Sequence, residues 1–244
     1  GGCSGLGEAT ARLLVKNQAR VSILDITEES GNQLASELGS LVAFHKCNVT
    51  DEETIKNAVC ETVNNFGGIH VAINCAGVAT AGKIIGKGGP ITVDKFNNVL
   101  QINLVGTFNI IRLTAQKMMD NYPNEAGERG VIINTSSIAA FEGQIGQAAY
   151  SASKAAIAGL TLPIAREFAD YGIRVVTIAP GLFDTAMVAH LPENVQESLS
   201  RMIPFPKRLG KASEFASLIK HIIENPMLNG ETIRLDGALR MNAK

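Results

Sequence analysis

Residues 1–25 read GGCSGLGEATARLLVKNQARVSILD. Gly1, Gly5 and Gly7 stand where the lack of a Cβ permits a tight turn, a close backbone approach to a diphosphate and close helix packing. From Glu8 to Ala19 the apolar Ala11, Leu14, Val15 and Ala19 are interleaved with Arg12, Lys16 and Gln18, the pattern of a helix covering a sheet. Val21-Ser22-Ile23-Leu24-Asp25 then reads as a short strand. A glycine-rich phosphate loop normally follows a strand whose end aims the backbone amides at the ligand. No strand-like segment precedes Gly1, so the leading strand is expected to be missing from the front of the sequence, leaving backbone groups of its neighbours exposed.

The alternation continues downstream. A helix around Glu29 to Leu38 leads into Leu41-Val42-Ala43-Phe44, and a helix from Asp51 to Phe66 leads into Val71-Ala72-Ile73. Asp94 is expected to cap a long helix whose face includes Val99, Leu100, Leu104, Phe108 and Ile111, followed by the buried strand Val131-Ile132-Ile133. Tyr150 to Phe168, Arg174 to Ile178, Ser213 to Ile223 and Thr232 to Leu235 complete the series. Repeated helix and strand units predict an α/β chain, one domain over residues 1–244, with a Rossmann-like doubly wound parallel sheet and helices on both faces. Two stretches break the pattern: Asn121 to Gly130, and Leu182 to Gly210, which is expected to lie over the carboxyl edge of the sheet as a substrate loop.

Composition narrows the function. Of 244 residues, 45% are hydrophobic and 18% charged, enough to bury a substantial core. A net charge of -1 supplies no general field for nucleic acid or anionic lipid, so direct nucleic-acid binding is not expected. No apolar run approaches the roughly 20 residues that cross a bilayer, so membrane insertion is not expected either. Cys3, Cys47, Cys60 and Cys75 lack close metal-ligand spacings, and no metal is expected.

Several side chains then point to chemistry. Asp25 ends the strand after the glycine loop, where a carboxylate accepts hydrogen bonds from an adenosine ribose and repels a 2′-phosphate; no Lys or Arg follows it immediately, which favours NAD over NADP. Tyr150 and Lys154 are four positions apart on a helix, so a Lys charge can ease proton loss from a phenol whose ordinary pKa is about 10. Ser137, just beyond a strand, can hydrogen-bond the same reacting oxygen, with Ser136 as the competing choice. Asn103 can order water or backbone groups near Lys154. Asn74-Cys75-Ala76-Gly77 ends a core strand with small residues suited to a flat cofactor, Cys75 being read as packing. Pro180-Gly181 marks a turn, and Thr185 can reach a carboxamide or diphosphate. Each signal alone also fits an ordinary loop, turn or surface pair.

Together they resemble the classical short-chain dehydrogenase/reductase family. The joint pattern runs from the first residue past position 180, and the fold-level likeness continues to the end. That resemblance implies NAD(H)-dependent interconversion of a secondary alcohol and a ketone. It assigns Tyr150 to proton transfer, Lys154 to the nicotinamide ribose and the tyrosine pKa, Ser137 to orienting the reacting oxygen, and Asn103 to a proton-relay water. It places Gly1, Ser4, Gly5, Leu6, Gly7, Asp25, Asn48, Val49, Asn74, Cys75, Ala76, Gly77, Tyr150, Lys154, Pro180, Gly181, Phe183 and Thr185 at the cofactor, and Ser137, Gln144 and Tyr150 at the substrate. Asn48 stands where an Asp is usual, and Cys75 replaces the second Asn of the family's Asn-Asn-Ala-Gly signature.

Phe141-Glu142-Gly143-Gln144, Pro180-Gly181-Leu182-Phe183 and Asn229 to Gly237 narrow the resemblance to the branch acting on 3-hydroxyacyl-CoA thioesters, with steroids or other secondary alcohols as the alternative. That branch implies a homotetramer, a mitochondrial matrix location, and partnership with a tRNA methyltransferase; a non-catalytic scaffold in mitochondrial tRNA processing is the contrasting reading. Lys83 and Lys87 are candidates for a CoA phosphate, although two solvated loop lysines are the stronger reading. Ala139, Ala140, Phe141, Leu182, Phe183, Met187, Val188 and Leu191 are candidate apolar walls.

Overall fold

A computed structural model describes residues 1–185 and 193–243. The strands are β1 (Val21–Asp25), β2 (Val42–Lys46), β3 (Val71–Asn74), β4 (Ile85–Gly86), β5 (Gly89–Pro90), β6 (Gly130–Thr135), β7 (Ile173–Pro180), β8 (Phe183–Asp184), β9 (Gly210–Lys211) and β10 (Thr232–Leu235). The helices are α1 (Gly5–Lys16), α2 (Glu28–Leu38), α3 (Glu52–Phe66), α4 (Val93–Leu100), α5 (Gly106–Met118), α6 (Ala148–Phe168), α7 (Glu193–Arg201) and α8 (Ala212–Glu224). Strands β10-β7-β6-β3 pair in that order, all parallel, and β1 pairs with β2 in parallel.

Both faces of the central strands are covered, which explains their unbroken apolar sequences. On one face Ile132 and Val175 pack with Ile55, Ile111 and Met118 from α3 and α5. On the other, Val131, Ile133, Val176 and Ile178 pack with Phe215, Ile219 and Ile222 of α8. Leu6 of α1 joins this second cluster, so its side chain serves the core.

The β1 and β3 edges do not pair with each other. A cleft of about 480 Å³ lies between them, lined by Val21 to Leu24 and Val71 to Ala76. Gly1 and Gly2 enter its carboxyl end, where both nitrogens donate to the Leu24 carbonyl at 2.7 and 3.3 Å. Gly1 fits only because it has no side chain: a Cβ there would lie 2.4 Å from the Ala76 nitrogen.

The long helix expected from Asp94 has a different start and an interruption. Thr92 occupies the N-cap position and Asp94 lies in the first turn, while a π-helical turn at Gln101–Val105 separates α4 from α5. At the start of α3, by contrast, Asp51 is the N-cap, its carboxylate accepting from the Glu53 and Thr54 amides. The Gly-rich segment after β3 folds as the β4–β5 hairpin, with Ile84 and Ile85 exposed. The irregular stretch beyond Leu182 contains β8, α7 and β9.

Arg174 is the unexpected occupant of the core. It is 6% exposed on β7 and makes a bidentate pair with Glu128 at 2.8 and 3.1 Å. Its remaining donors reach the carbonyls of Ile222, Ile223 and Leu228, satisfying the end of α8 and the turn after it. Replacing Arg174 with Met would leave Glu128 and these carbonyls without partners, so Arg174→Met should destabilise the protein by about 3–5 kcal/mol in a denaturant titration; a loss below ~1 kcal/mol would contradict this account.

Candidate active site

At the carboxyl ends of the strands, the glycine loop is fastened to β1 by Asp25. Its Oδ2 accepts from the Cys3 amide and its Oδ1 from the Thr27 amide, both at 3.1 Å. Ser4 precedes α1 in an extended conformation without a side-chain cap bond, so the amides of the first turn retain their capacity for an anion. Gly5 has φ +51°, and a Cβ there would meet only the Thr185 side chain, at 3.6 Å. Thr185 therefore stands opposite the glycine loop.

The second half of the site lies around α6. Lys154 is 4% exposed, and its Nζ donates to the Thr135 carbonyl at the end of β6, at 2.8 Å. Desolvation pulls its pKa down to about 8. Tyr150 lies one turn earlier, with its ring centroid 5.8 Å from Nζ. Burial raises the phenol pKa, and a hydrogen bond with Ser137 opposes that rise in part. Desolvation is the first cause of the shift at both groups.

Ser137 and Ser136 divide their duties. Ser137 reaches Tyr150 and starts a short 3-10 turn, accepting from the Ala139 amide at 3.1 Å. Ser136 points inward and donates to the Lys154 carbonyl at 2.7 Å, so it fastens α6 to β6. Asn103, fully buried in the π-helical turn, accepts from the Val78 amide at 2.8 Å and donates to the Val78 carbonyl at 2.9 Å. It also donates to Ser153 at 3.0 Å. Ser153 in turn donates to the Tyr150 carbonyl, a connection that sequence reading missed although Ser153 lies three positions along the same helix face.

The β3 end supplies flatness. A Cβ on Gly77 would lie 3.2 Å from Asn103 Oδ1 and 3.5 Å from Lys154 Nζ, so a small residue keeps this wall open. Cys75 is a packing residue whose thiol pKa burial drives upward. Asn74 directs its amide to Asn134 across the β3–β6 pair, at 2.9 Å. Asn48 is turned to its own loop, accepting from the amide and hydroxyl of Thr50, and Val49 packs against Gly106.

Other candidates separate similarly. Gly181 donates its amide to Leu235 beyond Pro180, and Phe183 stacks edge-on against Phe215 in the core. Gln144 donates to the Asn242 carbonyl at 3.2 Å. Ala139 is buried and Phe141 exposed, while Met187, Val188 and Leu191 lie outside the described residues. Among the described residues, no group of three or more His, Cys, Asp or Glu is placed to hold a metal.

This arrangement fits a nicotinamide dinucleotide: amides for the diphosphate, a carboxylate for one ribose, an ammonium for the other, and a Cβ-free wall beside the latter. A family model described as short chain dehydrogenase matches residues 1–196. 3-Hydroxyacyl-CoA dehydrogenase type-2 of Drosophila melanogaster is 54% identical over 243 residues, covering 99% of this chain and 95% of that protein. The Homo sapiens protein of the same name is 53% identical over 243 residues, with 99% and 93% covered. The crystal structure of 3-hydroxyacyl-CoA dehydrogenase type-2 from Mycobacterium avium matches with a TM-score of 0.96 and 41% identity, covering 100% of this chain and 95% of that one. With this fold, this catalytic cluster and these relatives, the chain belongs to the short-chain dehydrogenase/reductase family of nicotinamide-dependent oxidoreductases and closely resembles type-2 3-hydroxyacyl-CoA dehydrogenase.

Proposed function

We propose that the protein oxidises short 3-hydroxyacyl-CoA thioesters to 3-ketoacyl-CoA with NAD, and runs the reverse reduction. The observation that carries this reading is the convergence of Ser137, Tyr150 and Lys154 at one strand end, in a chain more than half identical to relatives bearing that activity in their names. A homotetramer in the mitochondrial matrix is part of the same proposal, on the resemblance alone.

In this reading the substrate hydroxyl lies against Ser137 and Tyr150. Ser137 fixes the oxygen, and Tyr150 takes its proton during oxidation and returns it during reduction. Bound nicotinamide supplies the acceptor for the hydride leaving the same carbon. Lys154 holds the adjacent ribose and favours the deprotonated phenol by its charge. Asn103 acts at a distance, keeping Val78 and Ser153, and through them the wall and the helix, in fixed relation.

Tyr150→Phe should lower kcat by roughly 10²–10⁴-fold, the usual contribution of a positioned acid-base group, while NADH affinity stays within about threefold; retained turnover would remove Tyr150 from the proton path. Because burial raises the phenol pKa above its ordinary value of about 10, oxidation by the parent protein should keep quickening from pH 7 through pH 9 without levelling, and the residual rate of the Phe variant should stay level.

Asp25 sets the cofactor. A 2′-phosphate would bring like charges together at a cost of several kcal/mol, so NAD should exceed NADP by about 100-fold or more in kcat/KM, and Asp25→Ala should cut that ratio to below ~10. Equal use of both by the parent protein would reject the assignment.

A substrate panel decides the rest. Short 3-hydroxyacyl-CoA should be used with a higher kcat/KM than a 17-hydroxysteroid or a simple secondary alcohol, and the opposite ranking would transfer the proposal to that class.

A further inference from the structure

We propose that Glu142 and Arg234 are positioning residues: they clamp the carboxyl-terminal segment Asp236–Ala243 across the loop joining Ser137 to Tyr150 and so fix the distance between these two reacting groups. The inference rests on Ser137 and Tyr150 acting together.

The loop from Ile138 to Gln147 is closed at each end by local turns, the Phe141 and Glu142 amides donating to the Ile138 carbonyl and the Gln147 amide to the Gln144 carbonyl, and its Gly146 carbonyl accepts from the Gly82 amide. It contains Gly143 and Gly146, the latter at φ +90°, and exposes Phe141 and Ile145. Yet both its ends carry reacting side chains, and an error in their spacing would be felt in the transition state.

Arg234, on β10, supplies the restraint from below. Its guanidinium donates to both Glu142 carboxylate oxygens at 2.7 and 3.0 Å, to Asp236 at 2.7 Å, and to the Leu239 carbonyl at 3.0 Å. Such fork geometry fixes orientation as well as distance. Arg240 closes the network, at 3.3 Å from Glu142 and 3.2 Å from Asp236.

The tail thus held makes three further bonds to the loop, the first from the Met241 amide to the Glu142 carboxylate at 3.4 Å. Ile145 donates its amide to the Ala243 carbonyl at 3.0 Å, and Gln144 donates its side chain to the Asn242 carbonyl at 3.2 Å. Beneath them Ile138, Ile203 and Leu239 are buried together, joining the residue after Ser137 to the tail and to the segment after α7. Charged fork and apolar contact therefore seat one strap on the loop at both its ends. The clamp's bonds end on Glu142, Asp236 and Leu239, not on Ser137, Tyr150 or Lys154.

The test is a double-mutant cycle of Glu142→Gln and Arg234→Gln in the full chain, assayed with whichever secondary alcohol the parent protein oxidises. Rates are divided by the number of NADH-binding sites found by fluorescence titration. Each single variant should lose roughly 10- to 100-fold in kcat per site with NADH affinity within about twofold, and the double variant should be no worse than the poorer single. Glu142→Asp should recover part of the loss. Hydrogen exchange at the Ile145 amide should quicken at least about tenfold in both single variants.

Parent-like kcat per site, additive losses, or loss of NADH sites in step with activity would each overturn the clamp. The exchange measurement needs no substrate, so it judges the clamp even if the acyl-CoA assignment fails; unchanged exchange at Ile145 would overturn it alone.

Discussion

An ammonium buried at the end of a parallel sheet is the constraint around which this molecule is arranged. Lys154 has given up water for the Thr135 carbonyl and the face of Tyr150, and its pKa of about 8 records the cost. A long flexible side chain keeps such a place only if its surroundings are rigid. Ser136 ties the Lys154 backbone to the end of β6, and Ser153, one residue earlier, receives the Asn103 amide. The helix is thus pinned on both sides of the lysine, and Tyr150 inherits its position from that pinning.

The π-helical turn serves the same end. An Asn inside a regular helix ordinarily competes with its own backbone or faces solvent. At Gln101–Val105 the ladder widens, and Asn103 lies fully buried with its amide bonded to both backbone groups of Val78 and to Ser153. One side chain therefore substitutes for a strand-like pairing between the segment after β3 and helix α6. Such single-turn widenings are frequent at functional sites, and here the reason is visible: the inward amide joins two walls of one pocket.

Local patterns in the sequence carry the helices and strands, the glycine loop and the Tyr150–Lys154 spacing, since each is decided by residues within a few positions of one another. The rest depends on distant partners. Arg174 sits in a strand that reads as plain core, and its partner Glu128 belongs to a polar stretch that reads as a loop. Glu142 and Arg234 are 92 positions apart, so neither announces the other. Asp94 was the more conventional cap, but Thr92 holds the position because the chain turns at Ile91 to close the β4–β5 hairpin, where the Ile91 amide meets the Ile84 carbonyl. Gln144 shows the converse: its chemistry suits a substrate, while its side chain donates to the tail.

The opposite shifts of Tyr150 and Lys154 have one cause. Burial favours the neutral phenol and the neutral amine alike, so the resting site stores a proton on oxygen and weakens its hold on the one at nitrogen. Hydrogen bonds to the phenolate and the ammonium would favour the ionised forms, and the two opposite charges would then support each other. In the proposed reaction a phenolate at Tyr150 would be held by Ser137 and the lysine, where the substrate proton would arrive.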